Sequence, residues 1–235
     1  MRWQVCVALL LLAGPLVGKE PLLRCERKIG QMSWQGMTFH RYRLRAENFP
    51  PKQTFCLLVK SFDGTTTETF KYYANSKGHL IFQPPEDVQG EIYAVCPAKR
   101  GERLTFVMQA QDAEESYETQ LIPFPLEMRS KKGIQLSLEL QGEQGEKFLL
   151  LAKGFKPEES VELYLEVHKT KHKQEAKVTK LGILRTLLHL PSEKQTTSGG
   201  NANLLLVRGN EEVIFPFQWG EPALQYVGAC CFEMK

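Results

Sequence analysis

The stretch Leu150-Leu151-Ala152-Lys153-Gly154-Phe155-Lys156-Pro157-Glu158 runs into Val161-Glu162-Leu163-Tyr164-Leu165-Glu166-Val167. In the second segment apolar residues recur at every second position, the period at which side chains reach one face of a β-strand. The same arrangement occurs earlier in the chain. At a constant offset of 106 residues, Leu44, Ala46, Phe49, Pro51 and Leu57 match Leu150, Ala152, Phe155, Pro157 and Leu163. Phe55, Leu57 and Val59 repeat the phase of Val161, Leu163 and Leu165. Downstream, Lys77-Gly78-His79-Leu80 echoes Leu181-Gly182-Ile183-Leu184 after a small gap, and Pro85-Glu86 and Pro191-Ser192-Glu193 follow. Each copy then has a turn with paired glutamates (Glu114-Glu115; Glu211-Glu212) and an apolar strand with proline (Ile122-Pro123-Phe124; Ile214-Phe215-Pro216). A repeat of about 90–100 residues is a domain rather than a solenoid unit.

Outside these segments, Leu104 to Met108 and Ile134 to Leu138 also alternate. Asp63-Gly64, Asn75-Ser76-Lys77-Gly78, Lys99-Arg100-Gly101, Ser198-Gly199-Gly200 and Gly209-Asn210 punctuate the chain as turns. Short strands with closely spaced turns predict a β-sandwich or barrel. Residues 110–118 and 168–177 fit loops between strands as well as they fit helices.

The pattern of strand, small residue, Gly or Asn, Phe-x-Pro and alternating strand resembles tandem bacterial immunoglobulin-like domains. It is carried by Ala152 to Val161 and, more loosely, by Ala46 to Phe55, and it extends over most of 40–126 and 134–219. In the first copy Asn48 stands where the glycine is expected, and Asn tolerates the left-handed backbone region. Glu91-Ile92-Tyr93-Ala94-Val95 has no counterpart in the second copy. The resemblance implies an all-β chain of two tandem immunoglobulin-like β-sandwiches after an N-terminal signal peptide. The expected limits are a signal peptide at 1–18, domain one at 19–129, domain two at 130–220 and a C-terminal tail at 221–235. The tail carries Leu224, Tyr226 and Val227, which suit packing against a sheet toward the interdomain region.

The signal peptide is read from Arg2, the unbroken apolar run Val5 to Leu12, Gly14-Pro15 and the small Gly18. That run is too short for a bilayer core, which needs roughly 20 apolar residues. Export places the protein in the periplasm or at the cell surface, where thiols oxidise. Five cysteines follow residue 18: Cys25, Cys56, Cys96, Cys230 and Cys231. All five are candidates for disulfides, and the odd count leaves one thiol free or joining two chains as a dimer. Cys56 shares the phase of Glu162, away from the core.

The 235-residue chain has a formal charge of +3, too small to point to nucleic acid. Lys169, Lys171 and Lys173, extended by Lys177, form the densest basic run and a candidate anion-binding patch. It lacks the interleaved aromatics of a nucleic-acid site. His168 and His172 are four apart, which on a strand separates them by about 13 Å, too far to share one metal ion. Phosphate-loop, dinucleotide and nucleophile motifs are missing, so no cofactor and no catalytic residue is expected. The paired glutamates read as solvated turn residues.

Sandwich loops and edges suit recognition better than catalysis. The expected role is a non-enzymatic binding or scaffolding protein of the cell envelope, its partner another protein or an envelope component. A periplasmic two-domain pilus-type chaperone is the alternative, on the faint likeness of Ile122 to Arg129 to that family's interdomain strand. A hydrolase with loop-borne catalytic groups is the third reading.

Overall fold

The computed structural model describes residues 20–34, 37–83, 94–112, 114–190 and 199–234. The expected signal peptide lies outside the described residues, as do Pro85-Glu86, Glu91-Ile92-Tyr93 and Pro191-Ser192-Glu193. Among the described residues the chain is all-β, with four sheets, one short 3-10 turn at Glu221–Leu224 and no α-helix. No helix among them is long and apolar enough to cross a membrane.

Strands β1 (Leu22–Trp34), β2 (Met37–Glu47), β6 (Ala94–Lys99) and β17 (Tyr226–Met234) form one sheet in the order β1-β2-β17-β6. Strands β3 (Thr54–Lys60), β4 (Thr66–Ala74), β5 (Leu80–Gln83), β7 (Leu104–Ala110) and β8 (Ser116–Leu121) form another, ordered β5-β4-β3-β7-β8. Buried side chains of both sheets, among them Leu44, Ala46, Phe55, Leu57, Phe106 and Met108, join in a single hydrophobic cluster.

The second pair of sheets repeats the plan. One holds β9 (Leu126–Arg129), β10 (Gln135–Leu140), β11 (Lys147–Lys153) and β14 (Ile183–His189), ordered β14-β11-β10-β9. The other holds β12 (Glu162–Val167), β13 (Thr170–Gln174), β15 (Gly199–Arg208) and β16 (Glu211–Gly220), ordered β13-β12-β15-β16. Leu138, Phe148 and Leu150 of the first meet Leu163, Leu165, Leu204 and Phe217 of the second in a separate cluster. Alternation places these residues: along β11, Phe148, Leu150 and Ala152 are buried while Lys147 and Lys153 face water. Each fully buried Leu or Phe stabilises the fold by about 1.5–3 kcal/mol relative to exposure.

The internal repeat extends to turn chemistry. The Phe49 N–H donates to the Gly78 carbonyl at 3.1 Å, and the Phe155 N–H donates to the Gly182 carbonyl at 3.4 Å. The Asn75 side chain accepts from the Lys77 and His79 amides, and the Thr179 hydroxyl accepts from the Leu181 and Ile183 amides. Asn48 (φ 61) holds the left-handed conformation that Gly154 (φ 99) holds in the other copy, the exchange that the sequence anticipates. Gly78 and Gly182 also have positive φ, and a Cβ on either would lie 2.8 Å or less from the carbonyl oxygen of the phenylalanine it faces.

The copies part company beside the second strand. In the second unit β11 lies between β10 and β14, both antiparallel. In the first, β5 stays with β4, and the flank of β2 opposite β1 is taken by β17, which follows the second unit in sequence. β17 runs parallel to β2 and antiparallel to β6. The described part of the segment read from the sequence as a tail, residues 221–234, therefore holds the 3-10 turn and an interior strand of the first unit's sheet.

Candidate functional site

Three features gather the chemically able side chains: a junction between the units, the hairpin of β12 and β13, and the cysteines around β17.

The junction is built from turns. Gly101 donates its N–H to the Phe124 carbonyl at 2.8 Å and accepts from the Leu140 N–H at 2.9 Å, linking the β6–β7 turn to the interdomain segment and to β10. Glu102 in that turn is fully buried, and its Oε2 accepts the Lys99 backbone N–H at 2.8 Å. Burial pushes the Glu102 carboxyl above its ordinary range, against the pull of the Lys99 amide and charge. The Lys99 ammonium is nearly buried and lies 3.3 Å from Asp63 Oδ2, 4.7 Å from the Phe62 ring centre and 5.4 Å from that of Tyr226. Burial pushes Asp63 up as well, but hydrogen bonds from Thr65 and Lys99 outweigh it and hold the carboxyl below its ordinary range. Phe62 packs on the second unit's core. The interdomain segment is gripped from the other side: His40 Nδ1 and the Tyr42 hydroxyl both donate to the Pro123 carbonyl, at 2.8 and 2.9 Å, and Phe124 stacks on His40. Because a carbonyl only accepts, the proton of that bond sits on Nδ1.

Sequence reasoning treats Asp63-Gly64 and Lys99-Arg100-Gly101 only as turns and misses this cluster. Its local signal is Asp63 accepting from Thr65 two residues on, together with the Lys-x-x-Glu spacing of Lys99 and Glu102. What brings the two turns together is pairing between strands distant in sequence, which leaves no local mark.

The basic run forms the β12–β13 hairpin. His168 and Lys169 adopt positive φ in its two-residue turn, and Lys171, His172 and Lys173 lie on β13, an edge strand. Lys169, Lys171, Lys173 and Lys177 are all exposed. Lys173 is engaged within its own sheet: its ammonium lies 2.8 Å from Glu162 Oε1 and 5.8 Å from the Tyr164 ring centre. Lys171 stands opposite Glu166 in register. Exposed lysines on an edge strand also discourage pairing with another sheet edge.

Of the cysteines, Cys25 on β1 is half-buried, and burial pushes its thiol up to about 11. Cys56 on β3 is half-buried between the buried Phe55 and Leu57, in the expected phase. Cys96 and Cys230 are buried and directly opposite each other on β6 and β17, with Cys230 Sγ 3.3 Å from the Cys96 carbonyl oxygen. Cys231 pairs in register with Val95.

Glu114, Glu115, Glu158 and Glu212 are exposed, as expected at turns, whereas Glu159 and Glu211 are half-buried. Glu159 and Glu211 converge on Arg208, whose Nε lies 3.3 and 3.9 Å from them, and Glu211 also accepts from the Ser130 hydroxyl. Among the described residues no three His, Cys, Asp or Glu side chains form a metal-sized group. Ile122 to Arg129, compared in sequence with a chaperone's interdomain strand, supplies the Pro123 and Phe124 contacts and then β9, which pairs with β10.

No protein-family model matches the chain, and no curated protein matches it. A solved structure described as a tetra-tandem repeat in the extending region of a large adhesion protein is similar at 9% identity with a TM-score of 0.28. The match covers 75% of this chain and 44% of that one, so this chain spans less than half of the neighbour's length.

Proposed function

We propose that the protein is an exported, non-enzymatic binding or scaffolding component of the cell envelope, built from two immunoglobulin-like units. The observation that carries this reading is the junction. Within the first unit Lys99 bonds to Glu102 and to Asp63, and this buried charged cluster holds two turns that meet the second unit: the Gly101 carbonyl accepts from the Leu140 N–H, and Phe62 packs on the second unit's core. Rigid spacing of two β units is a scaffold's property. The exposed β12–β13 hairpin then supplies a basic surface for an anionic envelope component.

Co-sedimentation of the full chain with isolated envelope tests this. Binding is expected at low salt, falling with ionic strength and with the triple variant Lys169→Glu, Lys171→Glu, Lys177→Glu. A protein that stays in the cytosolic fraction with Met1 intact, or whose envelope binding ignores all three substitutions, overturns the reading.

A further inference from the structure

We propose that Cys96 and Cys230 form a disulfide within one chain, stapling β17 into the first unit's sheet. The argument rests on register and holds whatever the protein binds.

Cys230 faces Cys96 directly across the antiparallel β6–β17 ladder, and both side chains belong to the same buried cluster, so they project from the same face of the sheet. Directly opposed residues of an antiparallel ladder have Cα atoms about 4.5 or 5.5 Å apart. A disulfide accepts roughly 4.4–6.8 Å. The two thiols are free here, and the Cys230 sulfur rests 3.3 Å from the Cys96 carbonyl oxygen, at the point of the ladder where the two residues face each other.

The other cysteines are excluded by position. Cys25 is on β1, with β2 between it and β17, and strands two places apart lie about 9.5 Å from each other. It also pairs with Leu44, the residue opposite Met234, at the other end of the β2–β17 ladder from His40, which faces Cys230. Cys56 belongs to the facing sheet, outside its buried phase. Cys231 is opposite a valine.

Oxidation removes two protons and two electrons from the two thiols as the Cys96–Cys230 bond forms. A disulfide-bearing oxidant such as oxidised glutathione takes them up, its S–S bond breaking to give two thiols. The bond would close a loop across 134 residues of sequence and hold β17 between β2 and β6.

The test is to refold the reduced full chain in a glutathione redox mixture, quench with acid, alkylate and map the peptides. The peptide bearing Cys96 is expected linked to the C-terminal peptide in a protein that runs as a monomer without reductant. Cys231→Ser should keep the link and Cys230→Ser should lose it. Reduction should lower the melting midpoint of the refolded protein by about 10 °C, as expected for a loop of this length in a chain of this size. The proposal is overturned by Cys96 recovered alkylated or bound to glutathione. Persistence of the link in Cys230→Ser, a disulfide-linked dimer, or a midpoint that reduction leaves in place overturns it equally.

Discussion

Arg103 grips Glu139 across the boundary between the two units: its Nε donates to Oε1 at 2.6 Å and its Nη2 to Oε2, while Nη1 donates to Gln120 at 2.7 Å. The hydrogen bond to Glu139 raises the arginine further above its already high range. Forked pairing of this kind fixes orientation as well as distance. Because the arginine is partly exposed, the coupling should be modest. A double-mutant cycle of Arg103→Ala and Glu139→Ala in urea unfolding should give a coupling of about 1 kcal/mol. Arg103→Lys should recover less than half of it, and strictly additive single losses would show that the pair does not hold the units together.

Glu102 and Asp63 should impose opposite pH dependences. Burial raises Glu102 in the folded state, whereas the unfolded carboxyl ionises near about 4.3. Its stabilising contribution is complete below that value and is lost as pH rises through the folded value. Asp63 is lowered, so its contribution is complete above about 3.9 and is lost as pH falls through the folded value. In urea midpoints measured from pH 3 to 8, Glu102→Gln should remove the decline on the rising side and Asp63→Asn the decline on the acid side. Profiles parallel to the wild type would contradict both assignments.

β17 is tightly packed against its neighbours at Gly228. A Cβ there would run into the Thr38 carbonyl oxygen and the Phe124 ring. Gly228→Ala should cost about 1–3 kcal/mol, the range for overpacking a filled site. Hydrogen exchange should show β2 and β6 amides losing protection while β10 to β12 keep theirs. Uniform loss over both units would mean that β17 is not a separable part of the first unit.

Gly78 and Gly182 occupy the same turn in the two copies, so Gly78→Ala and Gly182→Ala should both destabilise, each chiefly in its own unit. Positive φ and contact with a backbone oxygen act together at both sites, for a cost of about 1–3 kcal/mol each. Unfolding followed by exchange at β3 and at β12 would separate the two effects. A neutral substitution at either site would break the equivalence of the turns.

Strands buried on one face were legible because alternation records burial directly, as along Phe55, Leu57 and Val59 and along Leu163, Leu165 and Val167. The repeated turn was legible because positive φ restricts residue choice, which left Gly154, Asn48, Gly78 and Gly182 as visible marks. β1 was not, since Arg24, Glu26 and Lys28 alternate with residues that do not declare a core. The destination of β17 was hidden for a different reason: Tyr226 to Met234 carries enough apolar residues to join any sheet, and the choice depends on β5 leaving the flank of β2 open. Lys99 and Glu102 escaped notice because lysine and glutamate are rarely buried, and only strand pairing across the chain buries them here.

A polypeptide emerges from its N-terminus, and here the first sheet is finished by residues made after the whole second unit. Until residues 226–234 are available, β2 and β6 each present an unpaired edge, and such edges invite pairing with other chains. Native closure then requires contact across more than a hundred residues, and long-range pairing of that kind is slow. The second unit has all of its strands in hand earlier. The order of maturation should therefore run against the order of synthesis, with the second unit acquiring protection first and the first unit remaining a client for holding factors until β17 docks.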